Sequence, residues 1–120
     1  MDQGLGDRLF DFALDSIKFL STFPKLPEAH IVRYQLAKCS TSSGANYEEA
    51  RAASSKADFS HKMKISLREM KESNYWLRIS LKSNFGQNNI NKNLIEESFE
   101  LKNILGQFAV SFKHFLIFNF

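Results

Sequence analysis

The sequence predicts an all-α chain folded as an up-down-up-down antiparallel four-helix bundle. Three observations carry that prediction. Apolar residues recur at three- and four-residue steps in four separate segments, the spacing that places side chains on one face of an α-helix. Two prolines and five glycines in 120 residues are too few for the turn-rich economy of an all-β domain. The links between the segments are short, so sequence neighbours are expected to fold back on one another. At 43% hydrophobic content the chain supports one ordinary core, and a single domain spanning residues 1–120 follows.

The first helix is expected over about residues 7–21. Phe10, Ala13, Ile17 and Leu20 form its apolar stripe, widened by Leu9, Phe12, Leu14 and Phe19, while Asp7, Asp11 and Asp15 make a solvated acidic face. Pro24 and Pro27 end it, because the residue before a proline is pushed out of the α region; both are assigned to a connector, FPKLPEA.

The second helix is expected over about residues 28–54, with Ile31, Tyr34, Gln35, Lys38, Ser42 and Ala45 at helical spacing. Its run of small residues from Cys39 to Ala45 is unusual. Gly44 alone costs a helix about 1 kcal/mol relative to alanine, which points to a close helix crossing at Ser42, Gly44 and Ala45. A loop dividing two shorter helices is the alternative.

Ser55 opens a capping-box-like Ser-Lys-Ala-Asp run, and the third helix is expected over about residues 55–83. Phe59, Met63, Ser66, Met70, Ser73 and Leu77 alternate four and three residues apart, as a bundle core seam does. This helix is expected to be the longest and most buried. The polar run NFGQNNINKN, residues 84–93, reads as a loop. A fourth helix over about residues 94–116 carries Leu94, Leu101, Ile104, Leu105, Phe108, Phe112 and Phe115, with Glu96, Glu97 and Glu100 in its early turns. The aromatic ending FKHFLIFNF is expected to cover the bundle or an oligomer interface.

Charge is unevenly placed: residues 1–50 are net −2, residues 51–82 net +5 and residues 83–120 neutral. On the third helix Lys64, Arg68, Lys71, Tyr75, Arg78 and Lys82 fall on one stripe about 80° wide, suited to following a phosphate backbone with Tyr75 against a base or sugar. A merely solvated face is the alternative. A further face holds Ile65, Glu69, Glu72, Trp76 and Ile79, an apolar strip with two carboxylates, and is the candidate oligomer interface, its acids pairing with Lys38 or Arg51, within the chain or from a neighbouring subunit.

No enzyme is legible. His30, His61 and His114 lack metal-ligand spacing, and neither Glu69 nor Glu72 begins the Glu-x-x-His of a carboxylate-bridged metal pair. No metal and no cofactor are expected. Cys39, the single cysteine, suits packing at a helix crossing, and one thiol gives no sign of an oxidising compartment. No stretch approaches a membrane span, and the start MDQGLGDRLFDF lacks signal-peptide order, so a cytoplasmic protein is expected.

Between Gln35 and Leu77 the chain resembles the four-helix-bundle family encoded in intervening sequences of bacterial 23S ribosomal RNA genes. The residues carrying the resemblance are Gln35, Leu36, Lys38, Ser42, Gly44, Ala45, Asn46 and Glu49, followed by Asp58, Phe59, Ile65, Glu69, Glu72, Tyr75, Trp76 and Leu77. Lys38 stands where the family has arginine, and the aromatic tail departs from its more polar endings. A more distant similarity is to the accessory variability determinant of diversity-generating retroelements, a basic bundle that partners a reverse transcriptase. The resemblance implies a ring-shaped homopentamer and an RNA, DNA or reverse-transcriptase partner. Together with the basic stripe it gives the expected function, a non-enzymatic accessory factor binding RNA or a ribonucleoprotein; a structural or protein-interaction scaffold is the alternative.

Overall fold

The computed structural model describes the backbone of residues 4–119 and the side chains of residues 4–108. Four helices follow one another: α1 (Leu5–Leu20), α2 (Pro27–Arg51), α3 (Lys56–Lys82) and α4 (Asn88–Asn119). Each packs on the next and α1 packs on α4, while among the described residues the backbones of the diagonal pairs α1/α3 and α2/α4 do not come close. This is the all-α four-helix arrangement the apolar periodicity predicts. The side chains of Phe112, His114 and Phe115, and the aromatic tail with them, lie outside the described residues.

In α1 the apolar stripe is rotated from its expected position. Leu9, Phe12, Ser16, Phe19 and Leu20 are buried, whereas Phe10, Leu14 and Ile17 are exposed. Two interleaved rows satisfy the helical period equally, and the row with Leu9, Phe12 and Phe19 reaches the interior. In α2 the register also shifts: Ala29, Val32, Leu36, Cys39, Ser40, Ser43 and Ala50 are buried, and Ile31, Tyr34, Lys38 and Ala45 face outward. The helix runs unbroken through Gly44, so the small-residue run is not a loop. Pro27 is not part of the connector. It opens α2 at a position where its missing N–H is an orphan donor in any case.

The small residues bring α2 close to two neighbours at once. A Cβ on Gly44 would lie 3.3 Å from the Leu9 Cβ of α1. One residue earlier, about 100° around the helix, the Ser43 hydroxyl donates to the Ser66 carbonyl at 2.8 Å, and the Ser66 hydroxyl donates to the Ser43 carbonyl at 2.7 Å. The crossing residues are therefore Ser43 and Gly44; Ser42 accepts the Asn46 amide, and Ala45 is on the surface.

The core seam of α3 alternates large and small: Met63, Ser66, Met70, Ser73, Leu77 and Ser80 are buried, with Phe59 partly so. Ser55 caps the helix, its Oγ accepting from the Asp58 N–H at 3.1 Å, as the capping pattern predicts. Ser73 and Ser80 satisfy their hydroxyls on the carbonyls of Glu69 and Trp76 within the helix. Ser16, Ser40 and Asn91 are buried without a hydrogen-bond partner for their side chains among the described residues.

The expected loop over 84–93 contracts to the five residues 83–87. Asn84 takes a left-handed φ of 59°, Phe85 N–H donates to the Ser80 carbonyl and Asn84 N–H to the Leu81 carbonyl, the paired bonds of a Schellman stop. The helix then restarts at Asn88, because burial of Asn91, Leu94 and Ser98 outweighs the weak helix propensity of asparagine. As a result α4, at 32 residues, exceeds the 27 of α3. Glu97 and Glu100 lie well inside α4 rather than in its first turns; they meet Arg8 of α1, whose Nη2 is 2.7 Å from Glu97 Oε1 and 3.3 Å from Glu100 Oε1.

Gly86 closes the turn. Its φ is +83°, and a Cβ there would stand 2.6 Å from the Phe19 ring and 2.9 Å from Thr22 Oγ1. Gly86→Ala combines left-handed strain with overpacking and is expected to lower stability by about 2–4 kcal/mol, read as a drop in the urea midpoint. A midpoint within error of wild type would contradict this account of the α3–α4 turn.

Candidate functional site

Lys64, Arg68, Lys71, Tyr75, Arg78 and Lys82 all lie on the exposed side of α3, because the seam of Met63, Met70 and Leu77 fixes which way the helix faces. The ridge runs about 27 Å along the axis at 1.5 Å per residue. Tyr75 is 48% exposed and is held edge-on by Trp76, with ring centroids 5.1 Å apart. The Arg78 guanidinium sits 5.9 Å from the Tyr75 ring centroid, and its Nε donates to Asn74 Oδ1 at 2.9 Å. The aromatic member of the ridge is thus braced by two neighbours on its own helix.

The mixed face lies about 100° around α3 from the ridge, toward α2. Ile65, Glu69, Trp76 and Ile79 are partly buried and Glu72 is exposed. Trp76 Nε1 donates to Glu72 Oε1 at 3.2 Å. Lys38 lies near Glu69 and favours its anion, whereas Arg51 is at the far end of α2, beside Gly6. Of the two basic residues expected near these acids, the bundle places only Lys38 there. One ion pair between α2 and α3 joins Lys62 to Glu49, 3.1 Å apart.

Burial and the neighbouring Glu72 push the Glu69 carboxyl above its ordinary value, partly offset by Lys38 and Arg68. Cys39 is buried behind these acids. Burial pushes its thiol up to about 11, with Glu72 and Glu69 adding to the effect and a hydrogen bond with Ser73 opposing it, so the thiolate that nucleophilic chemistry needs is suppressed. His30 and His61 are exposed on α2 and α3.

Two surfaces escape sequence reasoning. Phe10, Leu14 and Ile17 of α1 line an apolar groove of about 380 Å³ with Thr41, Gly44 and Ala45 of α2; their spacing marks them as core, and only the rotation of α1 exposes them. Beside the ridge, α3 and α4 enclose a hollow whose lining includes Asn74, Arg78, Phe99 and Lys102. Phe99 gives no sequence signal, since one exposed phenylalanine in an amphipathic helix looks like any other.

The sequence pattern of the 23S rRNA-intervening sequence proteins matches residues 6–107. The chain belongs to that family. A crystal structure of a protein of unknown function from the S23 ribosomal protein family of Bacteroides thetaiotaomicron is similar in fold: TM-score 0.80 and 25% identity over 88% of this chain and 98% of that one. No curated protein matches the sequence. The matched span takes in the small-residue crossing, the ridge and the mixed face. No helix among the described residues is long and apolar enough to cross a membrane.

Because the folded-state pKa of Glu69 is raised, its contribution to stability is fully present below the ordinary carboxylate range and is lost as pH rises through the raised value. Glu69→Gln is expected to stabilise the protein at neutral pH by less than about 1 kcal/mol, solvent contact limiting the effect. The gain should vanish as the pH falls toward about 4. Urea melts at both pH values measure it, and a gain that persists in acid would contradict the assignment.

Proposed function

We propose that this family member is a non-enzymatic RNA-binding accessory protein of the cytoplasm that holds a strand along the α3 ridge. The observation that carries the reading is the exposure of all five cations and of the braced Tyr75 on one face of one continuous helix. Successive ridge residues are spaced about 4.5–6 Å along the axis, a repeat suited to the phosphates of an extended strand. The exposed tyrosine offers a stacking surface, which is sequence-tolerant because every base has a π-face. The family's name ties its founding members to ribosomal RNA genes, which favours RNA over DNA.

Five phosphate contacts on a single strand imply that the logarithm of the association constant falls with the logarithm of salt at a slope of about −3.5. Replacing Lys64, Arg68, Lys71 and Arg78 with glutamine should flatten that slope to about −0.7, with the helical circular dichroism unchanged. Fluorescence anisotropy with a labelled RNA strand reads both. A salt-insensitive affinity, or one the four substitutions leave intact, removes the ridge from the function.

A second reading, that the protein assembles with copies of itself, is favoured by the apolar groove of α1. Phe10 is 68% and Ile17 50% exposed, a contiguous apolar surface that water does not favour. The occupant we assign is the mixed face of α3 from a second copy, where Ile65, Trp76 and Ile79 supply apolar surface. The α1 carboxylates Asp7 and Asp15 would face the basic side of that helix. Since α1 and α3 are diagonal in the bundle, the contact joins unlike surfaces, and such head-to-tail contacts close into rings when the rotation allows. A homopentamer is one such ring. Light scattering on the wild-type chain should give a mass several times the 13.8 kDa of the monomer, and Phe10→Glu should reduce it to the monomer without lowering helix content. A monomeric wild type at micromolar concentration rejects the assembly, and a dimer or trimer rejects the pentamer.

A further inference from the structure

The hollow between α3 and α4 has about 690 Å³ of open space and adjoins the ridge through Arg78. Its lining combines an aromatic ring, two cations and hydrogen-bonding side chains. Phe99 is 55% exposed on α4, and Lys102 Nζ sits 4.3 Å from its ring centroid, adding a cation at the ring. Asn103 and Glu96 bring an amide and a carboxylate to the same lining. Arg78 is positioned by a chain of hydrogen bonds reaching the α4 backbone: its Nε donates to Asn74 Oδ1, Asn74 Nδ2 donates to Ser98 Oγ at 2.9 Å, and Ser98 Oγ donates to the Ile95 carbonyl at 2.8 Å. That chain uses Nε and leaves both Nη groups of an exposed guanidinium for a phosphate.

We propose that this hollow receives one unpaired nucleotide of the RNA strand held by the ridge, with its phosphate on Arg78 and its base against Phe99. The inference rests on the ridge reading and adds to it a class of ligand. A base within a duplex has both faces stacked and its pairing edge occupied, so an aromatic side chain is available only to an unpaired base. Glu96 accepts a hydrogen bond from the exocyclic amino group of adenine, whereas uracil offers it only an N3–H flanked by two carbonyl oxygens that the carboxylate repels. Adenine is therefore preferred to uracil. Glu100 also lines the hollow but is neutralised in part by Arg8.

The test compares labelled oligoadenylate, oligouridylate of equal length and an RNA duplex by fluorescence anisotropy on the full chain. Oligoadenylate should bind most tightly. Phe99→Ala should weaken that binding about tenfold while duplex binding stays unchanged, and Phe99→Tyr should restore it; the exposed position lets both variants fold, which thermal melts verify. If Phe99→Ala leaves the oligoadenylate affinity unchanged, the nucleotide site is overturned and the ridge stands. No salt-dependent binding of any of the three RNAs overturns both readings. Competition by free adenosine monophosphate as strong, per nucleotide, as that by the strand would make the hollow a mononucleotide site and overturn the assignment to a strand.

Discussion

The reciprocal hydroxyl–carbonyl pair of Ser43 and Ser66 is the contact on which the rest of the bundle depends. Two helix backbones exchange hydrogen bonds through their shortest polar side chains, so α2 and α3 come together more closely than leucine at either position would permit. Each bond contributes only about 1 kcal/mol net. Its larger effect is geometric: it fixes the rotation of both helices about their axes. With Ser66 turned inward, Met63, Met70 and Leu77 must be buried on the same stripe, and the cations Lys64, Arg68, Lys71, Arg78 and Lys82 must face water.

The same constraint acts on α1. Once Ser43 points at α3, Gly44 points at α1, and the lack of a side chain there lets Leu9 close to van der Waals contact. That contact selects Leu9, Phe12 and Phe19 as the buried row and leaves Phe10, Leu14 and Ile17 outside. The apolar groove is thus a consequence of a glycine on a neighbouring helix. The fourth helix is positioned by two other devices, the Asn84–Gly86 turn against Phe19 and Thr22, and the Arg8 fork on Glu97. They bring Phe99 and Lys102 beside Arg78, uniting residues of α3 and α4 in one hollow.

Serine recurs through this core where aliphatic residues are usual. Ser73 and Ser80 return their hydroxyls to their own helix, which offsets the desolvation cost of burying them, whereas Ser16 and Ser40 have no partner among the described residues. The alternation of methionine or leucine with serine along α3 keeps the seam both narrow and filled. Narrow seams favour specificity of register, because a shift of one residue would set Ile65 or Leu67 against the α2 backbone in place of Ser66.

By itself the sequence determined the number and order of the helices, the seam of α3, the cap at Ser55 and the composition of the basic ridge. All of these follow from spacing along one helix, a local property. Tertiary structure alone decided which of two equivalent apolar rows of α1 is buried, that Ser43 rather than Ser42 or Ala45 forms the crossing, and that Asn88–Asn93 is helical. Periodicity measures an angle around one axis and has no origin until a neighbour supplies it; asparagine propensity is a small term beside the burial of Leu94 and Ser98. The α3–α4 hollow is the strongest case. Asn74, Arg78, Phe99 and Lys102 are spread over 29 positions of sequence and share a surface only because the antiparallel packing of two helices brings Asn74 to Ser98.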